Sequence, residues 1–279
     1  MLNSKLGKLL KILKPMESVV LAYSGGVDST FLLKALQLSG IRTLAVTASS
    51  EIIPLNNLLT VKKTVAELGM KHRVIKTNEF SRKEFVNNTP ERCFVCKDTF
   101  FKKLSRIAIA GGYRFILDGS NIDDMLDFRP GRKAAKKYHV RSPLREAGLS
   151  KKEIRKLSKQ LGLPTWDKPS SPCLFSRFPY GQRVTKKALK RVEKAEAFLR
   201  KIGFHEIRVR DHNNVARIEV AEREIDLFLN HKKRRLISER LKSFGYTFVS
   251  LDLEGYRTGS MNRVLEGNVK IQGVKGLSG

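Results

Sequence analysis

Apolar positions in the first half of the chain follow two alternating rhythms. Short apolar runs of strand length lie at 18–23, 43–47, 73–76 and 115–118, with a shorter one at 140–142. Between them, apolar residues recur three and four apart over 30–38, 57–68 and 100–110, and each stretch stops at a glycine: Gly40, Gly69 and Gly111. Strands that alternate with helices predict a parallel sheet with crossover helices, which binds ligands at the carboxyl ends of its strands. Ahead of these runs, Leu6, Leu9, Leu10, Ile12 and Leu13 are set among Lys5, Lys8, Lys11 and Lys14. That spacing predicts an amphipathic helix over a domain edge.

The pattern changes after residue 150. Ser150, with Glu153 three positions on, is a capping box for a helix over 150–161, stopped by Gly162 and Pro164. Residues 166–180 are rich in Pro and Ser without periodicity and read as a long functional loop. A helix over 186–201, strands over 206–210 and 216–220, two short helices and a strand over 247–251 complete the pattern. The expected fold class is α/β with two domains. A Rossmann-like parallel-sheet domain covers 1–165 and an active-site loop covers 166–184. A smaller α+β domain for substrate or oligomerisation covers 185–265, and a flexible tail covers 266–279.

Composition narrows the partners. The 279 residues are 41% hydrophobic, enough for one large and one smaller core. Lys and Arg number 55 against 27 Asp and Glu, a net charge of +28. Such an excess attracts polyanions (nucleic acid, nucleotides, phosphorylated metabolites), and it is also the solvated surface of heat-adapted proteins. No apolar run approaches the ~20 residues that span a bilayer, and lysines interrupt the leucines near the start. No membrane partner and a cytoplasmic location are therefore expected. Cys93, Cys96 and Cys173 are the three cysteines, and an odd count argues against a disulfide framework.

The candidate chemistry begins at Ser24-Gly25-Gly26-Val27-Asp28-Ser29, which follows a strand and opens a helix. Glycines let the backbone approach an anion, free amides at a helix N-terminus point at it, and Ser24 and Ser29 add hydroxyls. Asp28 would repel phosphate unless Mg²⁺ lies between them. The string lacks the lysine of a Walker A loop. Ser50 and Gly119 follow other strand ends and join the nucleotide candidates. Asp123, Asp124 and Asp127 also lie past a strand end, where carboxylates hold Mg²⁺, and Asp127 is a substrate candidate too.

Cys93 and Cys96 sit three apart on one helix face, after Pro90 and beside Arg92 and Lys97, which favours thiolate. From spacing alone four readings stand open for the cysteines. They are three corners of a [4Fe–4S] cluster, a zinc site completed by a histidine such as His72 or His139, a redox or persulfide pair, and inert thiols. Arg177 lies four residues after Cys173, within reach of the same site. Arg208 and Arg210 share a strand face, and a guanidinium pair there suits a phosphate or carboxylate. His205 and His212 read as surface histidines.

The SGGVDS string resembles the signature of the PP-loop ATP pyrophosphatases. Further strings are similar to the LarE family of ATP-dependent sulfur transferases, from the loop to about residue 262. They are 88–93 (NTPERC), 118–124 (DGSNIDD), 127–131 (DFRPG), 141–144 (RSPL), 176–181 (SRFPYG), 208–213 (RVRDHN) and 251–259 (LDLEGYRTG). The resemblance implies ATP and Mg²⁺, and adenylation of a carboxylate on a phosphorylated pyridinium dicarboxylate. Sulfur then displaces AMP to give a thiocarboxylate for nickel-pincer cofactor biosynthesis. It also implies Arg208 and Arg210 near the substrate phosphate, and a homo-oligomer. Two sulfur modes occur in the family. One sacrifices the cysteine at the place of Cys173 and leaves dehydroalanine. The other adds a CxxC, binds a [4Fe–4S] cluster and takes sulfide or another donor repeatedly. With Cys93, Cys96 and Cys173 all present, the chain resembles the cluster-bearing group. Cluster-dependent tRNA thiolation is a rival that the charge suits, though no appended RNA-binding module is seen. A non-catalytic nucleotide or metal sensor is the rival from another class.

Overall fold

The computed structural model describes residues 2–50, 52, 55–125, 131–169, 173–257 and 260–261. Asp127 and the tail over 266–279 lie outside the described residues. The chain forms two compact units that divide between Cys173 and Leu174.

The first unit runs α1 (Leu2–Leu13), β1 (Ser18–Ala22), α2 (Val27–Ser39), β2 (Arg42–Ser49), α3 (Leu55–Glu67) and β3 (Lys71–Lys76). It continues with α4 (Lys83–Val86), α5 (Arg92–Gly111), β4 (Phe115–Leu117), α6 (Gly131–Lys137), α7 (Pro143–Glu146) and α8 (Lys151–Gln160). The strands form one parallel sheet in the order β3-β2-β1-β4. The central strand β1 is covered on both sides, which explains its unbroken apolar run. Its pleat divides the core. Val19 and Leu21 pack with α1, α2 and α8, whereas Val20 packs with Phe101 and Leu104 of α5 and Ala134 of α6. The unit is thus a helix–sheet–helix sandwich, the α/β class expected from the rhythm.

Local differences have local causes. The segment over 140–142 makes a single bridge, Leu117 to Arg141, rather than a strand. Helix α5 begins at Arg92, so Cys93 and Cys96 lie in its first turns. The capping box of α8 is formed, and α1 is tied to it: Lys5 Nζ donates to both Glu153 carboxylate oxygens at 2.7 and 2.8 Å.

The second unit holds α9 (Lys186–Lys201), β5 (Ile207–His212), β6 (Val215–Val220), α10 (His231–Ser243) and β7 (Phe248–Leu251). Strands β5 and β6 are an antiparallel hairpin turned at Asn213, and β7 adds parallel to β6. Of the two short helices expected before β7, the first is a 3₁₀ segment, Glu222–Leu229, and the second is the 13-residue α10. Leu199 of α9 and Ile237 and Leu241 of α10 pack with Ile207 and Val209 as the core. Among the described residues no helix is long and apolar enough to cross a membrane.

Candidate active site

The SGGVDS loop joins β1 to α2, at the carboxyl end of the central strand. Gly25 has φ +70°, and a Cβ there would lie 2.3 Å from Cγ2 of buried Val61, so only glycine fits. Gly26 caps α2 in extended backbone with no side-chain cap, leaving first-turn amides for an anion. Ser24 and Ser29 hydroxyls meet at 3.1 Å, and Ser29 donates to the Gly26 carbonyl at 3.3 Å, which fixes the turn. Gly119, past β4, comes against the start of α2. A Cβ there would lie 3.0 Å from the Ser29 nitrogen, so glycine permits the close approach.

Three buried polar atoms along this edge have no hydrogen-bond partner among the described residues: Asp28 Oδ1, Ser50 Oγ and Thr77 Oγ1. Buried polar atoms are nearly always satisfied, so orphans gathered past the ends of β1, β2 and β3 mark a place where a ligand completes the bonding. Asp28 Oδ1 is also a free oxygen donor for Mg²⁺ beside a phosphate loop, so the metal fits the residues present.

Two lysines that sequence reasoning missed complete the loop's electrostatics. Lys151, opening α8, bonds the other Asp28 oxygen. Lys168 reaches back to donate to the Gly25 carbonyl at 3.0 Å. Burial lowers the Lys168 pKa. Both lysines contact residues of the loop. They lie 123 and 143 residues from their loop partners, so no local string reveals them.

The cysteines gather at the same edge of the sheet. Cys96 lies 4.0 Å from the carboxylate of buried Glu79, three residues past the end of β3. Cys93 and Cys173 are exposed and are not joined in a disulfide. The expected thiolate is not found at Cys96. Burial pushes its pKa well up, and the charges of Cys173, Glu79 and Cys93 add to the rise against a small lowering by Lys97. Desolvation outweighs the helix N-terminus because the thiol faces its own kind and a carboxylate. The three thiols are thus within electrostatic reach of one another. As they stand, no three Cys, His, Asp or Glu side chains among the described residues form a group that could hold a metal ion.

The second unit gathers the predicted arginines. Arg177 forms a two-pronged pair with Glu196 of α9 at 2.8 and 3.1 Å. Arg210 does the same with Glu219 of β6 at 2.8 and 2.6 Å. Arg208 lies over the Tyr256 ring at 4.7 Å, and burial followed by the neighbouring Arg177 charge lowers its pKa. Arg200 also pairs with Glu196 at 2.9 Å and Arg217 with Glu219 at 3.2 Å, so each buried carboxylate is shared between guanidiniums, an arrangement that an added anion relieves. The glutamates Glu196 and Glu219 were not anticipated. His205 is exposed and bonds Glu224, while His212 is half-buried with its Nε2 unpartnered among the described residues, contrary to the surface expectation.

A parallel sheet whose central strand ends in this loop defines a PP-loop ATP pyrophosphatase. In keeping with that class, the chain is 27% identical to GMP synthase of Saccharomyces cerevisiae over 58% of its length and 35% of that protein's. No family model matches the chain. An uncharacterised protein of Synechocystis is 41% identical over 95% of this chain and 99% of its own. Pyridinium-3,5-bisthiocarboxylic acid mononucleotide synthase of Lactiplantibacillus plantarum is 38% identical over 95% of this chain and 96% of its own. At that identity and coverage the chain belongs to the LarE family of ATP-dependent sulfur transferases.

Proposed function

We propose that the protein uses ATP and Mg²⁺ to adenylate a carboxylate of a phosphorylated pyridinium dicarboxylate and replaces AMP with sulfur. The product is a thiocarboxylate for nickel-pincer cofactor biosynthesis. The observation that carries this reading is the meeting, at one edge of one sheet, of an anion loop and three cysteines. Ser24, Gly25, Gly26, Val27 and Ser29 hold the β,γ-phosphates through amides and hydroxyls, and Ser50 and Gly119 border the nucleotide. Asp28 offers Oδ1 to Mg²⁺, and Lys151 and Lys168 neutralise the departing pyrophosphate. A carboxylate is a poor electrophile, and its mixed anhydride with AMP is a good one. Sulfur attacks the acyl carbon, the C–O bond to AMP breaks, and AMP leaves as the anion. Arg177, Arg208 and Arg210 recognise the substrate's anionic groups, supported by their clustering, in which the Arg177 charge lowers the Arg208 pKa after burial. Asp127 belongs with them by family likeness alone.

Cys93, Cys96 and Cys173 would hold a [4Fe–4S] cluster, since three thiols suit iron and sulfide. When bound, such a cluster supplies an iron open to an external sulfide. A second reading, sacrifice of the Cys173 sulfur, is favoured by that thiol's exposure and by the absence of a ready metal-holding group among the described residues. Family likeness supports a homo-oligomer, and three cysteines outside any disulfide suit the reducing cytoplasm.

Anaerobic purification with iron and sulfide quantitation, followed by turnover with the pyridinium dicarboxylate mononucleotide and ATP, tests both readings. About four irons per chain, lost in Cys96→Ala, with several thiocarboxylates formed per chain, supports the cluster reading. No iron, one turnover and loss of one H₂S from Cys173 supports sacrifice. No AMP formation with any carboxylate overturns the proposal itself.

A further inference from the structure

The enzyme's chemistry leaves most of the +28 charge unexplained. Helices α5 and α6 carry nine Lys and Arg against one Asp, on the face of the sheet away from α2. A groove of about 990 Å³ runs beside β4, edged by Arg114, Arg132, Lys133, Lys136, Arg141 and Arg145. Its walls carry three half-buried rings, Tyr113 and Tyr138 packed on the α5–α6 core and Phe115, at the edge strand, packed on the α2 side. All three already bear cations: Arg42 at 4.4 Å from the Tyr113 centroid, Arg141 at 5.6 Å from that of Phe115 and Lys137 at 5.3 Å from that of Tyr138. A second groove of about 270 Å³ on the other side of α5 is edged by Arg82, Lys102, Lys103 and Arg106.

The acids do not balance this face. Asp118, at the inner end of the first groove, is buried and spent on Ser120 and Ser142. Asp98, in the second, pairs with Lys137. Glu91 and Glu146 hold Lys133 and Arg141. Lys102, Arg106, Arg132, Lys136 and Arg145 make no ion pair with any described residue. Helix α5 has 20 residues, about 30 Å of axis. Unpaired cations drawn from α5, α6 and α7 exceed what one small phosphorylated ligand can use.

We propose that this face binds single-stranded nucleic acid, with the phosphates tracking the unpaired cations and bases stacking in the groove against Tyr113, Phe115 and Tyr138. Flat rings beside a basic track suit exposed bases, which a duplex hides. The inference is independent of sulfur transfer.

The test is fluorescence anisotropy of the full-length protein with a labelled 12-nucleotide RNA of mixed sequence, alone and annealed to its complement, in 50 to 200 mM KCl. Five cations predict a log–log salt slope near −3.5, a loss of about 10²-fold across that range. Combining Arg132→Glu, Lys136→Glu and Arg145→Glu weakens single-strand binding more than tenfold and flattens the slope, while ATP–pyrophosphate exchange stays unchanged. Phe115→Ala, tested separately, weakens the single strand more than the duplex. No binding at 50 mM KCl, undiminished binding by the triple variant, or equal affinity for the duplex would overturn the proposal.

Discussion

Gly25→Ala probes the phosphate loop at its tightest point. The residue has φ +70°, and a methyl there would lie 2.3 Å from Val61 Cγ2 on α3. Left-handed backbone costs an L-residue about 1–2 kcal/mol, and overpacking a buried contact costs about 1–3 more. The single variant should therefore lose about 2–5 kcal/mol, much of a stability of about 5–15. Val61→Ala alone removes two buried methyl groups and should cost about 2 kcal/mol. Together the substitutions should cost less than their sum by the overpacking portion, about 1–3 kcal/mol, because the clash is gone while the backbone strain stays. Urea unfolding of the four proteins measures that coupling. ATP–pyrophosphate exchange should fail in both Gly25→Ala proteins, since the strain of an L-residue at φ +70° stays in the loop and displaces its amides. A coupling near zero, or exchange restored with stability, would refute the steric reasoning.

Other expectations follow from the ion pairs. Lys168→Ala should lower kcat/KM for ATP about 10–100-fold, the worth of one charge-assisted bond, with unchanged melting temperature and partial rescue by Lys168→Arg in exchange assays. Bonding from Lys5, then the Ser150 backbone, holds the Glu153 pKa at about 2, below its ordinary 4.5. Its folded pKa is depressed, so its stabilisation is present above 4.5 and lost as pH falls toward 2. Melting temperature across that window should drop less in Glu153→Gln than in the parent. Glu219→Ala strands buried Arg210 and should cost about 3–5 kcal/mol by urea unfolding, whereas Arg210→Met with Glu219→Leu should cost much less.

What could be read in the chain alone is what short-range pattern encodes. Apolar runs of strand length between 3.6-period stretches predicted the parallel sheet, because burying both faces of β1 demands an unbroken apolar run. The Ser150–Glu153 box was legible because both partners lie within one helical turn. The phosphate loop was legible because glycine, hydroxyl and carboxylate must follow one another to wrap an anion at a helix start.

Only the tertiary structure decided which distant groups complete these local ones. Lys151 and Lys168 come to the loop because α8 packs against α2 and the segment after it returns to Gly25. Thr77 and Ser50 become orphaned together only when β2 and β3 end at one edge of the sheet. At Cys96, neighbours in sequence favour a thiolate, but burial beside Glu79 and two thiols reverses the shift. Helix and strand follow from interactions within a few residues, whereas charge and desolvation act across space on whatever the fold brings together.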